Sequence, residues 1–412
     1  MSFVSRWCRR TAVRAENAQQ ESTRFLKHGG AGALVLGLAA AAAVAIPASA
    51  SASTSSYASP VVGHVYVNDN TKGTNTIGAF DRHADGTLTP EAGSPFAAGG
   101  AGTGAGLASQ GAIQLSQDGR FLIAVDAGSN QISVLRVGFG GSLALVPGGV
   151  VSSGGVLPVS IAVHGNLVYV ANAGPSGSNF TGFRLGFFGH LRPIPGSTVA
   201  LSSTAQPGDV LFNGDGSKLV GTLVGTSQIA SFTVGFGGRL TAAPGSPFSA
   251  QGLGPFGSEF SPADPGQLFV SNAHNVGAGT GTVSAFADTG NGTLASIGAS
   301  PFADGQTAPC WVEITHDGQF LFTVNTGSGE ISRYQIAPDG TLTLLGSTPV
   351  GKTGGVGAVD ARLSPGGRYL FVDESRIGAI GAFAVNGGNL TELATSPTPL
   401  PAGATPAGIV VN

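Results

Sequence analysis

Asp118-Gly119-Arg120-Phe121-Leu122, Asp215-Gly216-Ser217-Lys218-Leu219 and Asp317-Gly318-Gln319-Phe320-Leu321 are one phrase, repeated at intervals of 97 and 102 residues. Half of either interval is about 50 residues, the length of a propeller blade rather than of a solenoid turn. Between about Pro60 and Asn412 apolar residues recur at every second position in short runs bounded by Gly, Asp, Asn and Ser. That is the pattern of half-buried strands, and no amphipathic helix interrupts it. One unit reads Ile113–Ser116, an Asp-Gly turn, Phe121–Val125, Gln131–Leu135 and Ser142–Leu145. Gly in such a turn adopts positive φ at little cost, which makes Asp-Gly a strong hairpin signal.

Counting this one, six copies stand in register, with second strands at Phe121, Leu167, Leu219, Leu268, Phe320 and Tyr369. Their third strands run through Ile132, Phe180, Ile229, Val283, Ile331 and Ile380. A seventh unit at the start has a second strand at His64–Val67 and a third at Ile77–Phe80, but no first strand. Pro406–Val411 matches Pro207–Phe212, the first strand of another unit. The chain therefore predicts an all-β, seven-bladed β-propeller of four-stranded antiparallel blades, with the C-terminal strand closing the ring. Closure removes two sheet edges that would otherwise invite pairing with other chains.

The first 50 residues differ in kind. Arg6, Arg9, Arg10, Arg14, Arg24 and Lys27 precede an uncharged run from Gly29 to Ile46, followed by Ala48-Ser49-Ala50. A basic segment, an apolar core and a small-x-small site make up a secretory signal peptide. We expect residues 1–50 to be that signal, 51–59 a flexible segment and 60–412 the propeller. The protein is then secreted or at the cell surface, and its mature form is not embedded in a membrane. A retained anchor is the alternative, because the apolar run approaches the length that spans a bilayer. Without residues 1–50 the chain keeps 13 basic and 20 acidic residues, a formal charge near −7. Such a balance excludes nucleic acid as a partner, which needs clustered Lys and Arg. Cys310 is then the single cysteine, so no internal disulfide can form, and its place in a strand entry points to burial. We expect a monomer whose partner is a small molecule, glycan or protein.

Leu115-Ser116-Gln117-Asp118-Gly119-Arg120-Phe121-Leu122, Leu363-Ser364-Pro365-Gly366-Gly367-Arg368-Tyr369-Leu370 and Gly340-Thr341-Leu342-Thr343 resemble the lactonase-type seven-bladed propellers, which include 6-phosphogluconolactonase. The resemblance spans the mature chain. It implies polar groups around one mouth of the central channel: a His, an Arg-His pair and a Glu, with an Asp in an Asp-x-Gly phrase. By register the His position is Gly111, the Arg-His pair falls on Phe256-Gly257, and the Glu position is Ala273. Only the Asp persists, as Asp126. Lactone hydrolysis needs a base or a positioned water, and donors where charge develops on the carbonyl oxygen. Gly and Ala offer only backbone.

Other residues could serve at that mouth. Asp209, Trp311 and Asp360 share one position at the entry to the first strands, and Gln114, Glu259, Glu313 and Arg362 stand two residues further on. We take Asp360, Glu313 and Arg362 as the candidate catalytic set, and Asp209, Trp311, His274, Asp126 and Glu259 as candidate ligand contacts. The competing reading makes them structural links between inner strands, with Glu313 and Arg362 as an ion pair, since buried charges are normally paired. No cofactor is expected, although Glu259, Glu313 and Asp360 could hold a hard divalent cation. His64, His83, His164, His190 and His316 lack metal-ligand spacing. The Gly-rich strings at Gly100–Gly106 precede no helix and so do not form a dinucleotide site. Gly102–Ala108 and Gly277–Gly281 read as flexible loops. With the family's positions emptied, the expected function is binding or surface interaction; the alternative is a lactonase acting on a sugar-derived lactone.

Overall fold

The computed structural model describes residues 59–175, 177–351 and 357–412. The expected export signal and most of the segment after it lie outside these. The described chain forms seven antiparallel sheets arranged in sequence order. In blade 2, Ile113–Leu115, Phe121–Asp126, Gln131–Val137 and Leu143–Ser152 run from the channel outward. Gln114 pairs with Ile123, and Ile123 with Val134. The Asp-Gly turns have the local chemistry that the sequence suggests. Gly119, Gly216 and Gly318 take φ of 69°, 70° and 69°. The preceding aspartates accept backbone N–H bonds from Arg120, Ser217 and Gln319 at 3.2, 2.8 and 3.0 Å.

Blade 1 lacks a first strand of its own, as expected. Ile409–Val411 supplies it, pairing Val67 with Ile409 and Tyr66 with Val410. Arg82 reinforces the closure by donating to the Asn412 carbonyl at 2.7 Å through Nη2 and at 3.2 Å through Nε.

In five blades the outer position is interrupted, so that two short segments pair in turn with the third strand. In blade 1 these are Leu88–Pro90 and Phe96–Gly102, both against Gly73–His83. The Ser of each Ser-Pro-Phe phrase marks the break: Ser94, Ser246 and Ser300 accept the N–H of Ala79, Ser231 and Ala285 at 2.9, 2.9 and 2.7 Å. Phe96, Phe248 and Phe302 are half-buried against the inter-blade cores.

Core residues gather between blades rather than at one centre. Phe121, Ile123 and Ile132 of blade 2 pack with Ile161, Val168 and Phe183 of blade 3, and comparable clusters follow around the ring. Each apolar blade face is thereby buried against its neighbour, and the ring can exceed the size of a single core. Cys310 is buried in one of these clusters. Among the described residues no helix is long and apolar enough to cross a membrane.

Gly102–Ala108 is not a loose connection. Asn70, at φ 47°, accepts the Thr103 N–H through its side chain at 2.8 Å and the Gly104 N–H through its carbonyl at 2.9 Å. Its amide donates to the Ala105 carbonyl at 2.7 Å. One residue thus satisfies, through its side chain and its carbonyl, backbone groups that glycine richness would leave free.

Candidate functional site

The first strands line the channel, and alternate residues point into it. At one level stand Gln114, Leu211, Glu259, Glu313 and Arg362. At the next stand Ser160, Asp209, Gly257, Trp311 and Asp360. Most of the sequence-predicted residues therefore do converge, in two stacked tiers.

Arg362 Nη1 lies 3.2 Å from Glu313 Oε2, and Glu313 Oε1 accepts the Leu363 N–H at 2.7 Å. This is the expected ion pair between adjacent blades. Burial pushes the Glu313 carboxyl above its usual range, and Arg362 opposes that shift. Burial also works against the Arg362 charge, but Glu313, Asp360, Glu259 and Asp209 outweigh it and raise its pKa. The guanidinium supplies the positive charge among the acids that the sequence reading offered to a divalent cation. Glu259 Oε2 is buried without a hydrogen-bond partner. Burial first, and then the Glu313 charge, hold Glu259 well above the ordinary glutamate range.

The upper tier is sealed. Asp209 and Asp360 are 2 % and 1 % exposed, and Trp311 is 5 % exposed. Asp209 accepts from Ser160 Oγ at 3.1 Å, the Ser258 N–H at 3.1 Å and Ser258 Oγ at 2.8 Å, which links three blades. Burial raises its pKa to about 7 and that of Asp360 to about 6. Trp311 packs edge-on to Phe256 with ring centroids 5.3 Å apart.

What seals it is the segment entering blade 2. The Gln110 N–H donates to Gly208 at 2.9 Å, its Nε2 to Ser258 at 3.1 Å, and its Oε1 accepts the Val312 N–H at 3.0 Å. Beside it, Trp311 Nε1 donates to the Ser109 carbonyl at 2.9 Å, and the Gly111 N–H to Asp360 at 3.3 Å. Ser109 Oγ donates to Val159 at 2.7 Å. Three residues thus bond to blades 3, 4, 5, 6 and 7 across the channel. Sequence reasoning missed Gln110 because nothing local distinguishes it from a polar loop residue.

The plug accounts for glycine at two of the emptied family positions, Gly111 and Gly257. A β-carbon on Gly257 would stand 2.2 Å from Gln110 Oε1 and 2.7 Å from the Cys310 carbonyl. Gly111 holds φ at 76°, where its N–H meets Asp360. Phe256 and Ala273 are buried at 0 % and 2 % exposure.

Two predicted contacts lie outside these two tiers. Asp126 lies at the boundary of blades 1 and 2, where it accepts from Asn75 Nδ2 at 2.9 Å and from the Ser133 hydroxyl. The His274 ring rests on Gly254, whose added β-carbon would approach it to 2.4 Å, and burial lowers its pKa.

Beyond the plug a cavity of about 150 Å³ opens along the lower tier. Gln110 and Gly111 form part of its wall, with Gln114, Asp209, Glu259 and Arg362. A closed ring of seven blades with an acid–guanidinium cluster in its channel defines a seven-bladed β-propeller with a central polar site. The sequence profile of the lactonase, 7-bladed beta-propeller family matches residues 59–185 and 202–405. The chain belongs to that family.

Similar solved structures include a putative 6-phosphogluconolactonase from Bacteroides uniformis, at 20% identity and a TM-score of 0.67 over 85% of this chain and 99% of that one. The periplasmic gluconolactonase of Pseudomonas aeruginosa matches at 18% identity and a TM-score of 0.67, over 85% and 98%. A functionally unknown protein from Desulfotomaculum acetoxidans matches at 12% and 0.63, over 85% and 98%. At these identities the likeness is one of fold. No curated protein matches the chain.

Proposed function

We propose that the protein is a lactone hydrolase whose chemistry takes place in the lower tier of the channel. One observation carries this reading: in a lactonase-family chain, Glu259 and Arg362 line the same cavity. At about 150 Å³ it is smaller than the drug-sized range of about 300–1,000 Å³, so it suits a small, sugar-derived lactone ring. Ionised Glu259 accepts a proton from water as that water attacks the lactone carbonyl. Arg362 stabilises the oxyanion, and Gln114 orients the ring. The ring C–O bond then breaks, and Glu259 returns the proton to the departing alkoxide to give the hydroxy acid. Burial and then the Glu313 charge raise Glu259 above the ordinary glutamate range, which strengthens its carboxylate as a base, while Arg362 opposes the shift. Export through residues 1–50 belongs to the same proposal and favours a substrate without phosphate.

A second reading is supported by the plug. Gln110 occupies the mouth where family members carry polar groups, and the protein is then a binding module without catalysis. Purified protein assayed on a panel of five- and six-membered aldonolactones separates the two. Hydrolysis above the buffer rate that falls at least about 100-fold in Glu259→Gln supports the hydrolase. Activity unaffected by Glu259→Gln removes the assignment, and inertness across the panel leaves the binding module.

A further inference from the structure

We propose that His64, Asp81 and Glu91 form a binding site for a divalent transition-metal ion of the zinc type on the blade that closes the ring. His64 lies on Val61–Asn68 and Asp81 directly opposite on Gly73–His83, so their side chains share one face. Glu91 follows Leu88–Pro90 and is fixed there by its N–H bond to the Ala79 carbonyl at 2.9 Å. One imidazole nitrogen and one oxygen from each carboxylate all lie within 4.8 Å of one another. His64 Nε2 is 3.5 Å from Asp81 Oδ1. Two ligands of a tetrahedral zinc with bonds of about 2.0–2.1 Å stand about 3.4 Å apart, so this pair already has the spacing of a loaded site.

The tautomer of His64 is a separate observation that points the same way. Asn412 Oδ1 accepts the His64 backbone N–H at 2.7 Å, which identifies that atom as the oxygen. The same oxygen is 3.2 Å from His64 Nδ1, so Nδ1 must carry a proton. The lone pair of a neutral ring is then on Nε2, an atom that is buried without a hydrogen-bond partner and faces the two acids. Metal-bound histidines are oriented in this way, with the far ring nitrogen donating to a fixed acceptor. Gly141 of blade 2 leaves room for the ring, since a β-carbon there would lie 2.1 Å from it. Among the described residues, no lysine or arginine pairs with Asp81 or Glu91. Imidazole with two carboxylates selects zinc and its neighbours over magnesium and calcium, which favour all-oxygen sites.

Such an ion joins the second and third strands and the turn after the outer segment, while Asn412 ties the site to the strand Ile409–Val411. Metal binding is therefore coupled to ring closure, and it raises the melting temperature by mass action. The test uses the full, untagged chain stripped of metal, at about pH 8, above the usual imidazole range. ZnCl2 is expected to raise Tm and give a saturable heat of binding, while MgCl2 at the same concentration does neither. Asp81→Asn and Glu91→Gln lose the zinc response, and Asn412→Ala weakens zinc binding by about 10-fold. The ring 15N resonances of wild-type His64 shift on zinc addition, a readout independent of whether any variant folds. Absence of a zinc response in the wild type overturns the proposal. So does a response retained in both acidic-residue variants, or an unmoved His64 ring.

Discussion

Gly257 lacks a side chain where the carboxamide of Gln110 lies: a β-carbon there would sit 2.2 Å from Gln110 Oε1. The two residues come from blades 5 and 2, on opposite sides of the channel, so the glycine and the plug depend on each other. Gly257→Ala is expected to destabilise the fold by about 1–3 kcal/mol, the usual cost of overfilling a packed site. In a Gln110→Ala background the cost should be smaller, because the clash with the Gln110 carboxamide is gone and the approaches to the Cys310 carbonyl and the Trp311 α-carbon remain. Urea unfolding of both single variants and the double variant gives the coupling, expected to exceed about 0.5 kcal/mol. Additive costs would mean that the two sites are independent.

Gln110→Ala by itself removes two side-chain bonds and leaves the Ser258 carbonyl and the Val312 N–H without them. An orphaned buried polar group costs about 1–3 kcal/mol. We expect a loss of about 2–4 kcal/mol, read from the midpoint of denaturation, and faster exchange of the Val312 amide. A loss below about 0.5 kcal/mol would show that water replaces the carboxamide at no cost.

The ring was legible in the sequence because its determinants are local. Asp118-Gly119 and its counterparts mark hairpins, and alternation marks strands. The C-terminal strand could be assigned to the first blade because a missing strand at one end matched a spare one at the other, and the structure pairs Val410 with Tyr66. The Glu313–Arg362 pair was likewise readable from a shared register. The plug was not, since Gln110 meets Ser258 and Val312 across 148 and 202 residues. His64 was set aside for want of metal-ligand spacing along the chain, a signal that does not register Asp81, which stands opposite His64 by cross-strand pairing. Asp126 looked like a channel group by family register, yet its hydrogen bonds run sideways to Asn75 and Ser133.

The buried aspartates set a pH dependence. Burial raises Asp209 to about 7 and Asp360 to about 6, both above the unfolded value of about 3.9. Between these limits the folded state binds more protons than the unfolded chain, so stability falls as pH rises. The contribution is fully present below about pH 4 and is lost by about pH 7. Its slope is at most about 1.4 kcal/mol per pH unit for each group. Asp209→Asn, which cannot ionise, should flatten the decline over this window relative to wild type. Urea midpoints from pH 4 to 8 provide the check, and an unchanged slope in the variant would show that Asp209 does not contribute to it.

Closure by the C-terminal strand makes the strongest demand. Deleting 405–412 removes the partner of Val65–Val67 and the Asn412 carbonyl that receives Arg82. Blade 1 would then show an unpaired inner edge to the channel, and Ile409 and Val410 would be lost from cores on both of its faces. Neighbouring blades share those cores, so the damage should spread around the ring. We expect the truncated chain to lose cooperative unfolding and to aggregate through the exposed edge. A peptide spanning 405–412, added in excess, should restore part of the lost stability by rebuilding that edge, and Val410→Asp in the peptide should abolish the rescue. A truncated protein with wild-type melting behaviour would show that the seven-blade core stands without its closing strand.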